Sequence, residues 1–182
     1  MHNAERKRRY FLIVDDIELG YCDLDEESLN RIIKAGYGQV ADQKLLLNKY
    51  EAFYILQENQ LQIFNEKGEQ LNPEKYYQRY RGTLNLNLEK LLVYGELRQK
   101  GYRVNEIKTN IFDFMADVGS SRSYYIKILP EGGNYKIEDL NNLVKISIKH
   151  KKEPIIAIVE RNGEVIFYKL FQLSEGNIEG NN

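Results

Sequence analysis

Hydrophobic and polar positions alternate along this chain in short runs, interrupted by stretches with helical spacing. Residues 10–14, Tyr-Phe-Leu-Ile-Val, form a β-prone run that ends at Asp15-Asp16. A helix is predicted over 25–35, with Leu29, Ile32 and Ile33 on its apolar face and Gly36 at its stop. Leu45 and Leu47 then lead into Asn48-Lys49-Tyr50-Glu51. Asn48 with Glu51 is the Asn version of a capping box, which predicts a helix over 49–57 with Ala52, Phe53, Ile55 and Leu56 inward. Leu61-Gln62-Ile63-Phe64 reads as a strand, 65–68 as its turn, and Pro73 suits the first turn of a helix over 74–80.

Arg81-Gly82-Thr83 is the predicted boundary, giving a small α/β domain over 1–83 and a second domain over 84–182. In the second, Leu88, Leu91, Leu92, Tyr94 and Leu97 have helical spacing, ended by Lys100-Gly101. Strands are predicted over 111–116, 124–129 and 155–159. Between the last two, Leu140, Leu143, Val144, Ile146 and Ile148 form the apolar stripe of a helix over 137–149. Strand, helix and strand of these lengths make a right-handed βαβ crossover. Asn162-Gly163 between apolar runs predicts a hairpin returning as 165–170. The polar tail from about 174 is expected to fray.

Composition narrows the function classes. Hydrophobic residues make up 42% and charged residues 29%, as in ordinary globular proteins. The apolar runs are too short to span a bilayer, and the Arg6-Lys7-Arg8-Arg9 cluster precedes no signal-peptide core. Cys22 is the only cysteine, so no internal disulfide forms; with two histidines in all, the sequence argues against a zinc site. A cytoplasmic protein without metal or cofactor is expected. The net charge of −1 is not that of a dedicated nucleic-acid module, so RNA contact must come from a local patch or from a partner.

Several segments in order resemble one family. Val93-Tyr94-Gly95-Glu96-Leu97-Arg98-Gln99-Lys100-Gly101-Tyr102 is similar to a helix of the archaeal tRNA-splicing endonucleases. Asp113-Phe114 resembles the pair before their tyrosine-bearing strand end, and 124–131 the strand after their histidine. Lys151-Lys152 with 155–159 resembles their lysine and its following strand; Gly36-Tyr37-Gly38 and 47–52 match their first domain. The resemblance covers nearly the whole chain. It implies an α/β (α+β) architecture: a small N-terminal α/β domain, then a nuclease-like domain with a mixed sheet flanked by helices.

The family cleaves RNA without a metal: a tyrosine deprotonates the 2′-hydroxyl, a histidine protonates the leaving oxygen, and a lysine stabilises the phosphorane. Each proton transfer contributes roughly 10²–10⁴ in rate. Counting from Asp113-Phe114, the tyrosine position holds Asp117; counting back from Pro130-Glu131, the histidine position holds Ser121. A carboxylate, ordinarily titrating near about 3.9, is a far weaker base than a phenolate near about 10, and its charge repels phosphate. A serine hydroxyl is a poor acid. Lys152, or less favourably Lys151, keeps the lysine position, although a solvated helix-end cation explains it equally.

No catalytic residue is therefore expected, and the resemblance implies a structural subunit of a heterotetramer with a catalytic chain, acting on precursor tRNA. Lys145 stands where the family often has an RNA-contacting arginine, and with Lys152 is the candidate RNA contact. The resemblance also implies two docking devices: the last strand, with Val165, Phe167 and Leu170, and an acidic loop carrying Glu160 and Glu164, diluted by Arg161 and Asn162. On the residues alone an ordinary hairpin turn with solvated flanks explains that loop better; the resemblance is what favours a docking loop. Two alternatives stay open. One is a self-sufficient nuclease with relocated groups, Tyr124 or Tyr125 with His150 and Lys152; the other is an RNA- or protein-binding module on the same fold.

Overall fold

A computed structural model describes residues 6–171, which fall into two compact units divided between Leu91 and Leu92. The expected frayed tail lies outside the described residues.

The first unit is built on a five-stranded sheet in the order β3-β4-β1-β2-β5. β1 (Arg8–Val14) and β2 (Ile17–Leu24) form a hairpin. Its turn residues Asp15 and Asp16 both take positive φ, 46° and 67°, the handedness a two-residue turn needs to match strand twist. β3 (Gln39–Ala41) and β4 (Lys44–Leu47) form a second hairpin, and β4 runs parallel to β1. β5 (Ile63–Asn65) closes the other edge. Leu12, Val14, Leu45, Ile55 and Ile63 are fully buried among α1 (Glu26–Lys34), α2 (Lys49–Gln57) and α3 (Pro73–Tyr80). The capping box at Asn48 forms in full: its side chain accepts from Tyr50 and Glu51 amides, and Glu51 accepts from the Asn48 amide at 2.8 Å.

The second unit carries α4 (Leu88–Gln99) and a five-stranded sheet in the order β10-β9-β8-β7-β6. The strands are β6 (Arg103–Glu106), β7 (Phe114–Val118), β8 (Arg122–Pro130), β9 (Glu153–Val159) and β10 (Val165–Lys169). β8 and β9 are parallel and joined through α5 (Ile137–Lys149), so the βαβ crossover is present; the remaining pairs are antiparallel, which makes the sheet mixed. Tyr94 of α4 meets Phe114 edge-on at 6.0 Å in the core.

Three differences from the sequence reading have physical reasons. β2, β3, β4 and β6 were not expected. The strand predicted over 111–116 starts later, at Phe114, because Thr109 turns the chain by accepting from the Ile111 and Phe112 amides, each at 3.4 Å. The strand placed at 61–64 is the shorter β5.

Candidate functional site

Strand register brings Asp117, Ser121 and Lys152, the residues counted to the family positions in the sequence, to one end of the second sheet. Asp117 on β7 pairs with Ser123 on β8, and Tyr124 pairs with Glu153, so Lys152 enters β9 beside the row of Asp117 and Ser123. Ser121 sits in the short turn between β7 and β8, after Gly119 at φ 57°. The Lys152 amide is held by the carbonyl of Ser147 at 2.9 Å, while Lys151 takes a left-handed φ of 55°. Together with the Lys151 amide on the Ile148 carbonyl at 3.0 Å, this is a Schellman ending of α5. It fixes where the chain leaves the helix and hence where Lys152 begins the strand.

Asp117 is half-buried and accepts a hydrogen bond from the Ser123 hydroxyl. Its carboxylate is thus occupied within the sheet. Ser121 is exposed in its turn. Lys152 is half-buried, and Lys145 is exposed on α5.

Asp113, four positions before Asp117, has a different task. It is 9% exposed. Its carboxylate accepts from the Ile128 amide at 2.9 Å and faces the Lys127 ammonium at 3.3 Å, and its own amide donates to the Ile126 carbonyl at 2.8 Å. The Asp-Phe pair is therefore an architectural clasp: Asp113 ties β8 to the start of β7, and Phe114 fills the core beneath α4.

The two tyrosines on β8 separate as strand alternation requires. Tyr124 is buried, edge-on to Tyr102 at 5.8 Å. Tyr125 points to the opposite face, where it stacks on Phe112 at 4.6 Å and its hydroxyl lies 3.0 Å from Nδ1 of His150. His150 is the C-cap of α5 and is exposed, yet it has a partner. Sequence reasoning named both residues as candidates without seeing that they meet. Their separation along the chain gives no such signal, because the contact depends on where α5 ends.

The docking candidates lie at the far edge of the sheet. Among the described residues, β10 pairs with β9 and stands at the edge of the sheet. Val165, Phe167 and Leu170 are half-buried, while Tyr168 and Phe171 are 49% and 70% exposed. The loop before β10 is an ordered hairpin: the Glu160 amide donates to the Glu164 carbonyl at 2.8 Å, and the Gly163 amide to that of Glu160 at 2.9 Å. The Arg161 amide donates to the Glu131 carboxylate at 2.9 Å, and its exposed guanidinium Nε lies 3.9 Å from the same carboxylate. Among the described residues, neither Glu160 nor Glu164 has a cationic partner.

The two-unit α+β arrangement, with a mixed sheet in the second unit, is the one that the resemblance in the sequence implied. Family models agree: residues 87–167 match the tRNA intron endonuclease catalytic C-terminal domain, and residues 21–77 match its N-terminal domain. The chain belongs to the tRNA intron endonuclease family. It is 24% identical to the tRNA-splicing endonuclease of Thermococcus onnurineus over 149 residues, covering 80% of this chain and 86% of the relative. The tRNA-splicing endonuclease of Methanococcus vannielii is 25% identical over 151 residues, with 80% and 85% covered. That of Pyrococcus abyssi is 25% identical over 148 residues, with 80% and 86% covered. No helix among the described residues is long and apolar enough to cross a membrane.

Proposed function

We propose that this chain is the structural subunit of a heteromeric tRNA-splicing endonuclease, with cleavage carried out by a partner subunit that bears the complete tyrosine, histidine and lysine set. The complex cuts precursor tRNA at bulge-helix-bulge sites and leaves a 2′,3′-cyclic phosphate and a 5′-hydroxyl. The observation that carries this reading is the pair of replacements at Asp117 and Ser121: the first is a hydrogen-bonded carboxylate, the second an exposed hydroxyl. Loss of two proton-transfer groups, each contributing roughly 10²–10⁴, leaves a lysine alone. Lys145 and Lys152 then serve as RNA contacts rather than as catalysts. β10, an edge strand among the described residues and carrying Val165, Phe167 and Leu170, is suited to pairing with a second chain, and Glu160 and Glu164 offer their carboxylates to a basic pocket.

The test is cleavage of precursor tRNA by the purified chain, alone and mixed with a family member that has all three residues. Background cutting alone and restored cutting in the mixture are expected. Cleavage by the chain alone at a rate matching the mixture overturns the proposal.

One contact favours a second reading. Tyr125 and His150 are hydrogen-bonded neighbours, as a relocated acid–base pair would supply. Geometry weighs against it. A base and an acid must each lie about 2.6–3.2 Å from its own oxygen, and those oxygens stand on opposite sides of phosphorus in an in-line displacement. Two groups 3.0 Å apart bond to each other and leave no space between them for the reacting centre.

A further inference from the structure

We propose that Asn162 is a site of spontaneous deamidation, and that its conversion to a carboxylate sharpens the acidic loop between β9 and β10. The chemistry stands on the loop itself. Its consequence for assembly rests on the docking role proposed above for Glu160 and Glu164.

Asn162-Gly163 is the single Asn-Gly pair in the chain. It lies in a tight turn, where Asn162 is exposed and Gly163 takes a φ of 86°. Gly163 has no side chain to shield its amide nitrogen from the Asn162 side chain beside it. That side chain is bent back on the loop, because Oδ1 accepts from the Glu164 amide at 2.9 Å. The same amide polarises the Asn162 carbonyl and faces the negative charge that grows on Oδ1 during attack at Cγ. One bond opposes the reaction: the Gly163 amide donates to the Glu160 carbonyl at 2.9 Å. It closes an exposed turn, and local opening there costs far less than unfolding of the sheet.

The steps balance with water as the only co-reactant. The Gly163 nitrogen loses its proton to solvent and bonds to Cγ of Asn162. The bond from Cγ to Nδ2 breaks, and Nδ2 takes up a proton and leaves as ammonia. Water then opens the cyclic imide. Breaking the bond from nitrogen to Cγ gives aspartate; breaking the bond to the main-chain carbonyl carbon gives isoaspartate. The net change is water in and ammonia out.

Charge gives the product a role. Arg161 offsets one of Glu160 and Glu164, so a carboxylate at position 162 doubles the net negative charge of the loop. Aspartate keeps the acceptor for the Glu164 amide, so the turn persists. A basic pocket on a partner then holds the converted chain more tightly.

The test is peptide mass mapping of the full chain, incubated folded in mildly acidic and in mildly alkaline buffer, beside the chain unfolded in urea. Conversion at Asn162 ahead of the other asparagines is expected, with aspartate and isoaspartate both formed. Alkali should speed it by ionising the Gly163 amide, and Asn162→Gln should abolish the mass gain at that position. A folded chain that keeps Asn162 intact after the unfolded chain has converted, or aspartate formed without isoaspartate, would overturn the proposal. The consequence is read by titrating the family member that has all three catalytic residues with the native chain and with Asn162→Asp. At low salt Asn162→Asp should bind up to about fivefold more tightly, the range of one exposed ion pair, and the gain should fade as salt rises. Equal, measurable affinities would overturn the regulatory role alone. Binding by neither chain would overturn the assembly reading and the regulatory role with it, while the mass mapping decides the chemistry by itself.

Discussion

Asp113 and Asp117 are the same residue type, four positions apart and flanking one strand, yet the structure uses them in opposite ways. Asp113 is buried, answers a lysine and a backbone amide, and joins two strands. Asp117 is half-buried at the strand end and accepts from one serine hydroxyl. The first matches the family pattern, and its role is architectural. The second stands, under the proposed assembly reading, where the family needs a base. The two carboxylates differ in their surroundings: one joins two strands, the other meets a single hydroxyl at a strand end.

The sharpest way to break that comparison is to remove each carboxylate in turn. Asp113→Ala leaves the buried Ile128 amide unpaired and the partly buried Lys127 ammonium without its counter-ion. A cost of about 2–4 kcal/mol is expected from a lost charge-assisted bond and an orphaned buried donor. Asp117→Ala should cost less than about 1 kcal/mol, because a partly solvated serine can turn to water. Urea unfolding of the two variants checks the pair, and equal losses would show that Asp117 is as architectural as Asp113.

The first unit offers a matching test at its helix starts. Asn48→Ala removes the acceptor for two amides at the start of α2, with an expected loss of about 1 kcal/mol in thermal or urea unfolding. At α1, the Ser28 amide bonded to Asp25 holds that carboxyl below the usual carboxylate range, with the Ser28 hydroxyl and nearby Lys7 and Arg31 adding to it. A depressed folded-state value means that this contribution is present above the unfolded value and fades as pH falls through the folded one. Asp25→Asn should therefore flatten the acid limb of the stability profile and leave neutral pH nearly unchanged.

These caps also show which parts of the fold were legible in the chain. α2 runs over Lys49–Gln57 and α5 over Ile137–Lys149, the ranges predicted, because a capping pair and an apolar stripe mark them locally. β2, β3 and β6 had no comparable mark. β2 follows an Asp-Asp turn, where both residues must take a left-handed conformation that Asn-Gly would have announced. β3 buries none of its residues, and β6 buries only Val104, so neither carries alternation. The positions of Asp117, Ser121 and Lys152 could be counted from flanking motifs. The Tyr125–His150 contact could not, since it is set by tertiary placement of a helix end.

That helix end supplies a smaller test. Lys151 occupies the left-handed position of the Schellman ending, where a side chain is disfavoured. Lys151→Gly should raise stability by up to about 1 kcal/mol, read as a higher Tm. A loss instead would mean that the Lys151 side chain holds Lys152 in place, and would return weight to the lysine pair as one functional element.

The smallest expected effect separates the two functional readings most cleanly. If Tyr125 and His150 are a packed surface pair, His150→Ala removes one exposed hydrogen bond and one edge contact. Stability should then change by about 0.5 kcal/mol or less, and cleavage by the reconstituted mixture should stay within about threefold, an interval well below the loss of a proton-transfer group. If His150 is instead the displaced acid, the same substitution costs roughly 10²–10⁴ in rate with the fold intact. Tyr125→Phe distinguishes further, because it keeps the stack on Phe112 while deleting the hydroxyl. Under the assembly reading the mixture splices normally with either variant; a catalytic pair in this chain would lose, in both variants, the cleavage measured for the chain alone.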